Sequence, residues 1–119
     1  MSQLVNIDQI RARNALDHHE VKADKDGTNG KKEGDNLSGY PSLIINNGLI
    51  ATLAFSVDKG GQHERIASAI ASHLNDRGVI KADNARSLRD ALCRGESATL
   101  RQSTHEALAF LSYLKRFHR

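Results

Sequence analysis

GYPSLIINNGLIATLAF, residues 39–55, is the stretch whose reading decides the fold. Two structures compete for it. Leu-Ile-Ile, then Asn-Asn-Gly, then Leu-Ile-Ala-Thr-Leu places an Asn-Gly turn signal between apolar runs, as a β-hairpin does. Against this, Ile50, Leu53, Ala54 and Val57 recur at i, i+3, i+4 and i+7, the spacing of one helix face. Spacing alone leaves both open.

The sequence on the C-terminal side is helical. Residues 62–76 place Ile66, Ile70 and Leu74 on one face, and Ala67, Ala69 and Ala71 permit close approach. Gly78 stands where a left-handed C-cap belongs. Asp83 or Asn84 caps a following helix with Ala85, Leu88, Ala91 and Leu92 as its buried stripe, and Gly95 ends it. Ser97 opens a last helix with no breaker before residue 119. At about 100° per residue, Leu100, Thr104, Ala107, Leu108, Leu111, Leu114 and Phe117 share a broad face, which Phe110 and Tyr113 extend. All five Tyr and Phe residues fall in this helix or in residues 39–55, so these two blocks hold the core, with Leu108, Leu111 and Leu114 packed on Leu53 and Phe55.

On the N-terminal side, residues 3–25 read as a mostly polar helix with a narrow stripe of Leu4, Ile7, Ile10 and Leu16, and Asn6 with Gln9 forms a capping pair. Residues 26–39 hold four glycines and one large apolar residue, Leu37. Each glycine costs a helix about 1 kcal/mol relative to alanine, so this stretch reads as a flexible connector. The 119 residues make one domain, and the elements together predict an all-α fold, a compact bundle of five to six helices.

Composition removes several function classes. No apolar run reaches the ~18–20 residues of a membrane span, and the opening MSQLVNIDQIRARN lacks the pattern of a secretory signal. A cytoplasmic protein without a membrane partner is the expectation. Cys93 is the sole cysteine, so no internal disulfide or cysteine metal cluster forms, and it lies near a helix C-terminus, an unfavourable place for a thiolate. The histidines lack chelating spacing: His18 and His19 are adjacent, and His63 and His73 are ten apart. No nucleophile elbow and no phosphate loop occurs. The expectation is no enzyme, no metal and no cofactor, and Glu106 is read as part of the solvated edge of the last helix.

Charge is unevenly spread. Residues 1–76 carry eight Lys/Arg against ten Asp/Glu, whereas residues 77–119 carry nine against four. A basic half points to a polyanion. Asp90 is spaced to pair with Arg86 or Arg94, which leaves Arg89 without a local partner, and Arg77 and Lys81 flank the preceding turn. Arg101 lies in the first turn of its helix, where the dipole disfavours cations, so an external role suits it. Lys115 and Arg116 also serve the dipole at the other end. Arg77, Lys81, Arg89, Arg101, Lys115 and Arg116 are the candidate nucleic-acid contacts, binding phosphates rather than reading bases. The competing reading is a solvated helix face.

The order Tyr40-Pro41, apolar run, Asn47-Gly48-Leu49, Leu53-Ala54-Phe55, followed by Thr-x-Glu-Ala-Leu-x-Phe-Leu-x-Tyr-Leu-Lys-Arg-Phe over residues 104–117, resembles the small α-helical subunit of the type III-B (Cmr) CRISPR effector complex. The resemblance favours two helices meeting at Asn47–Gly48 over the hairpin. It implies a non-catalytic subunit that stacks with copies of itself into a minor filament, beside other subunits, and contacts the guide RNA–target RNA duplex in antiviral defence. The alternatives are the small subunit of the type III-A complex and a helical scaffold or dimerisation module with no nucleic-acid role.

Overall fold

A computed structural model describes residues 6–18 and 35–117, all helical apart from short connections. Six helices follow in order: α1 Ile7–Asp17, α2 Asp35–Asn47, α3 Leu49–Lys59, α4 Gly61–Asp76, α5 Ala85–Arg94 and α6 Ser97–Phe117. The all-α bundle expected from the sequence is the observed fold. Helix α4 lies at its centre, packed against α2, α3, α5 and α6, while α1 rests on α6 and α5 on α3.

The deciding stretch is two helices. Gly48 joins them at φ +90°, a left-handed conformation that glycine adopts without a Cβ penalty. Two side chains then fasten the joint. Thr52 Oγ1 donates toward the carbonyls of Gly48 (2.8 Å) and Leu43 (3.0 Å). Ser56 Oγ donates to the Thr52 carbonyl at 2.8 Å, so the buried Tyr40 hydroxyl donates to Ser56 Oγ. Burial pushes the Tyr40 phenol up to about 12, and the Ser56 bond only partly opposes this.

Because these hydroxyls are satisfied internally, α3 turns a different face inward from the one its apolar spacing predicts. Leu49, Thr52, Leu53 and Ser56 are buried, Ile50 and Val57 are half-buried, and Ala54 is exposed. Phe55, expected in the core, is 44% exposed. Helix α6 is rotated in the same sense: Ser103, Glu106, Ala107, Phe110, Leu111 and Leu114 are buried, whereas Leu108 is half-buried and Phe117 is exposed.

The caps match the sequence more closely. Asn6 and Gln9 form a capping box on α1, and Asn84, not Asp83, caps α5 with Ser87. Gly78, at φ +73°, closes α4: its N–H reaches the Asn75 carbonyl and the Val79 N–H reaches Leu74, a Schellman motif. The connector expected over 26–39 lies outside the described residues up to 34. Its end does not hold, because Asp35–Gly39 already belong to α2. Tyr40, Ile44 and Leu37 supply enough apolar burial to extend that helix past Gly39 and through Pro41, which has no N–H to offer the Leu37 carbonyl.

Candidate nucleic-acid interface

The candidate cations do not form a single stripe. Helix α5, carrying Arg89, packs on α3 and α4, whereas α6, carrying Arg101, Lys115 and Arg116, packs on α1, α2 and α4. Lys81 is exposed in the connection between α4 and α5.

Two of the six are engaged within the chain. Arg89 is not partnerless: its Nε and Nη2 both lie 2.9 Å from Asp90 Oδ1. Helix spacing favoured Arg86 or Arg94 for Asp90, but the long arginine side chain folds back onto its neighbour. Arg77, the C-cap residue of α4, has a side chain only 20% exposed and directs its Nε to 3.4 Å from Glu106 Oε2.

Of the remaining four, the three other than Lys81 share the outer face of α6. Arg101 and Lys115 are separated by 14 residues, about 21 Å along the helix and about 40° around it. Arg116 lies about 60° to the other side of Arg101, and all three are exposed. Arg101 has one weak internal contact, Nη1 to Ser97 Oγ at 3.5 Å. The remaining exposed side chains of α6 include Gln102, His105 and Ser112, and none is acidic.

That absence has a structural cause, which sequence reasoning missed. Glu106, the only acidic residue of α6, points inward with 4% of its side chain exposed. Arg11 grips it with two parallel bonds of 2.9 Å, Nε to Oε2 and Nη2 to Oε1. His73 Nε2 meets Oε2 at 2.8 Å, and Asn14 Nδ2 lies 2.9 Å from His73 Nδ1. Asn14 therefore donates to Nδ1, which fixes the neutral imidazole with its proton on Nε2, directed at the carboxylate. The same Asn14 nitrogen reaches Asp76 Oδ2 at 3.1 Å, and Arg13 pairs with Asp76 at 3.5 Å. The His73 ring stacks on Phe110 with centroids 4.5 Å apart.

Burial alone would raise the Glu106 carboxyl. The hydrogen bonds from Arg11 and His73, with the charges of Arg11 and Arg77, outweigh it and hold the group at about 2. Burial lowers His73, which the Glu106 bond only partly offsets, and the Glu106 hydrogen bond raises Arg11. The sequence signal for this cluster was positional: Glu106 lies about 40° from Phe110 on the wheel, at the edge of the arc that becomes the core.

Among the described residues no group of His, Cys, Asp and Glu is arranged to hold a metal ion, and no helix is long and apolar enough to cross a membrane. A groove of about 370 Å³ between α2 and α3 is lined by Leu43, Asn47, Ala51, Thr52 and Phe55.

Residues 7–119 match the family described as CRISPR-associated protein (Cas_Cmr5). The fold is similar to that of a CRISPR-associated Cmr5 family protein from Thermus thermophilus, with a TM-score of 0.74 and 24% identity over 96% of each chain. No curated protein matches the chain.

Proposed function

Because this chain belongs to the Cas_Cmr5 family of CRISPR-associated proteins, it is a small subunit of the type III-B (Cmr) kind, and we propose that it is the non-catalytic small subunit of an RNA-guided effector, holding nucleic-acid backbone along the outer face of α6. In this reading copies of the chain stack side by side in the cytoplasm into a minor filament. The filament lies against the guide RNA–target RNA duplex, and other subunits carry out cleavage. Membership in a Cmr family favours this assignment over the type III-A small subunit.

One observation carries the RNA contact. The inward turn of Glu106 leaves about 21 Å of the α6 surface bearing Arg101, Lys115 and Arg116 with no anion among its exposed residues. Phosphates are bound by such charge through counterion release, with no need for base readout. Two or three contacts per copy are weak alone, and repetition along a filament makes them act together. Lys81 is a further exposed candidate. Arg77 and Arg89 rank below it because Glu106 and Asp90 already occupy them.

The scaffold alternative also has support in one place: Phe55 is 44% exposed over the uncharged α2–α3 groove, a surface suited to a protein neighbour. The two roles use different faces.

The test substitutes Arg101→Glu together with Lys115→Glu in the assembled complex. Assembly should persist, target-RNA affinity should fall, and the slope of log affinity against log salt should flatten by about 0.7–0.9 for each lost contact. Normal assembly with unchanged affinity and slope would make this face a solvated surface.

A further inference from the structure

Helix α1 is held in place by charge more than by apolar burial. Of its side chains only Asn14 and Ala15 are buried, while Ile7 and Leu16 are 45% and 54% exposed. Its 11 residues fall short of the ~12–15 that an isolated helix needs in water, so it persists by docking. The dock is the Arg11 grip on Glu106, with Asn14 on His73 and Asp76 beside it.

A second arginine faces the same carboxylate. Arg77 Nε is buried, lies 3.4 Å from Glu106 Oε2 and makes no hydrogen bond. A buried donor without an acceptor is destabilising, and the carboxylate oxygen that it faces is the one that Arg11 and His73 already occupy. Two cations from different elements, one on α1 and one on the C-cap of α4, thus compete for one anion.

We propose that Glu106 is a two-position clamp and α1 a releasable strap. With α1 docked, Arg11 holds the carboxylate and Arg77 stands by. With α1 released, Arg77 turns its guanidinium onto Glu106 and replaces the lost pair. The exchange keeps the buried carboxylate partnered in both positions. That removes the main electrostatic barrier to opening, since an unpaired buried charge is strongly unfavourable.

The strap itself is tested without RNA, by hydrogen exchange on the full chain, so its failure is distinct from failure of the RNA reading. In Arg11→Met, the amides of Arg11–Asp17 should exchange at least tenfold faster while those of α4 and α6 keep their protection. The Arg77 Nε–H, followed by NMR, should exchange at least tenfold more slowly. Adding Arg77→Met should loosen α4 and α6 as well, because Glu106 then loses its last cation. In Glu106→Gln, α1 should loosen with no slowing at the Arg77 Nε–H. Unchanged α1 protection in Arg11→Met, loss of α1, α4 and α6 together, failure of that variant to fold, or an Arg77 Nε–H that does not slow would each overturn the proposal.

Discussion

Lowering the pH should take from this protein a block of stability that belongs to Glu106. The carboxyl is held at about 2 against an ordinary value of 4.5, and its side chain is only 4% exposed, so little is lost to solvent screening. At 1.36 kcal/mol per pH unit, the difference corresponds to about 3 kcal/mol. The folded-state value is the depressed one. The contribution is therefore complete above about pH 4.5 and disappears as pH falls toward 2, with about 2 kcal/mol gone between pH 5 and pH 3. His73 acts in the same direction but earlier: its folded value lies below 6.5, so its share is complete above that pH and declines on acidification. Urea unfolding followed by circular dichroism would be run on the native chain and on Glu106→Gln, with the Glu106 carboxyl carbon followed by NMR to separate its titration from that of the imidazole. The stability gap between the two proteins should narrow by about 2 kcal/mol from pH 5 to pH 3. A carboxyl titrating near its ordinary value, or a gap constant over this range, would refute the reasoning.

Packing makes a paired prediction: Leu111→Ala should cost about 2–5 kcal/mol because the side chain is fully buried, and Leu108→Ala should cost clearly less because its residue is only half-buried. Denaturant midpoints check both, and a loss below about 1 kcal/mol at Leu111 would mean that α6 docks on a partner instead. Asn84→Ala removes the α5 capping box and should cost about 1 kcal/mol, with Asp83→Ala close to neutral. Arg89→Glu should affect target-RNA binding less than Arg101→Glu, since Asp90 already neutralises Arg89. Equal effects on the salt slope would show that the Asp90 pair opens in the complex.

Element existence was legible in the sequence, and helix phase was not. The caps are local: Asn6 with Gln9, Asn84 and Gly78 carry their geometry in a few residues, and each does what its type predicts. The Asn-Gly turn signal is local too, and it was ambiguous because Gly48 serves a helix–helix joint as readily as a hairpin. Phase depends on partners far along the chain. Apolar spacing treated Thr52 and Ser56 as outward, yet the Gly48 and Leu43 carbonyls and the Tyr40 hydroxyl provide for them inside. The α6 wheel placed Glu106 at the solvated edge for the same reason, since Arg11 stands 95 positions away in the sequence. Of the candidate contacts on α6, Arg101, Lys115 and Arg116 are all exposed. Arg89 was read as partnerless because helical spacing considers only residues three or four positions away, whereas its long side chain reaches the adjacent Asp90.

An apolar residue at position 106 would fit the core with less electrostatic risk, because well-packed hydrophobic replacements of buried ion pairs are often neutral or stabilising. The carboxylate must therefore be judged by what it organises. It sets α1 on α6 through a planar, two-bond arginine contact, a geometry that a greasy seam would not enforce. It fixes one His73 tautomer through the Asn14 relay. It also keeps the one negative charge of α6 among cations inside the bundle, so the surface of that helix carries Arg101, Lys115 and Arg116 with no opposing anion of its own. A leucine at the same position would leave that surface equally free of anions, but it would leave Arg11 and Arg77 without the partner they share. The cluster is best understood as the device that sets the position of α1 and the direction in which Arg77 points, with the basic outer face of α6 built on the opposite side of the same helix.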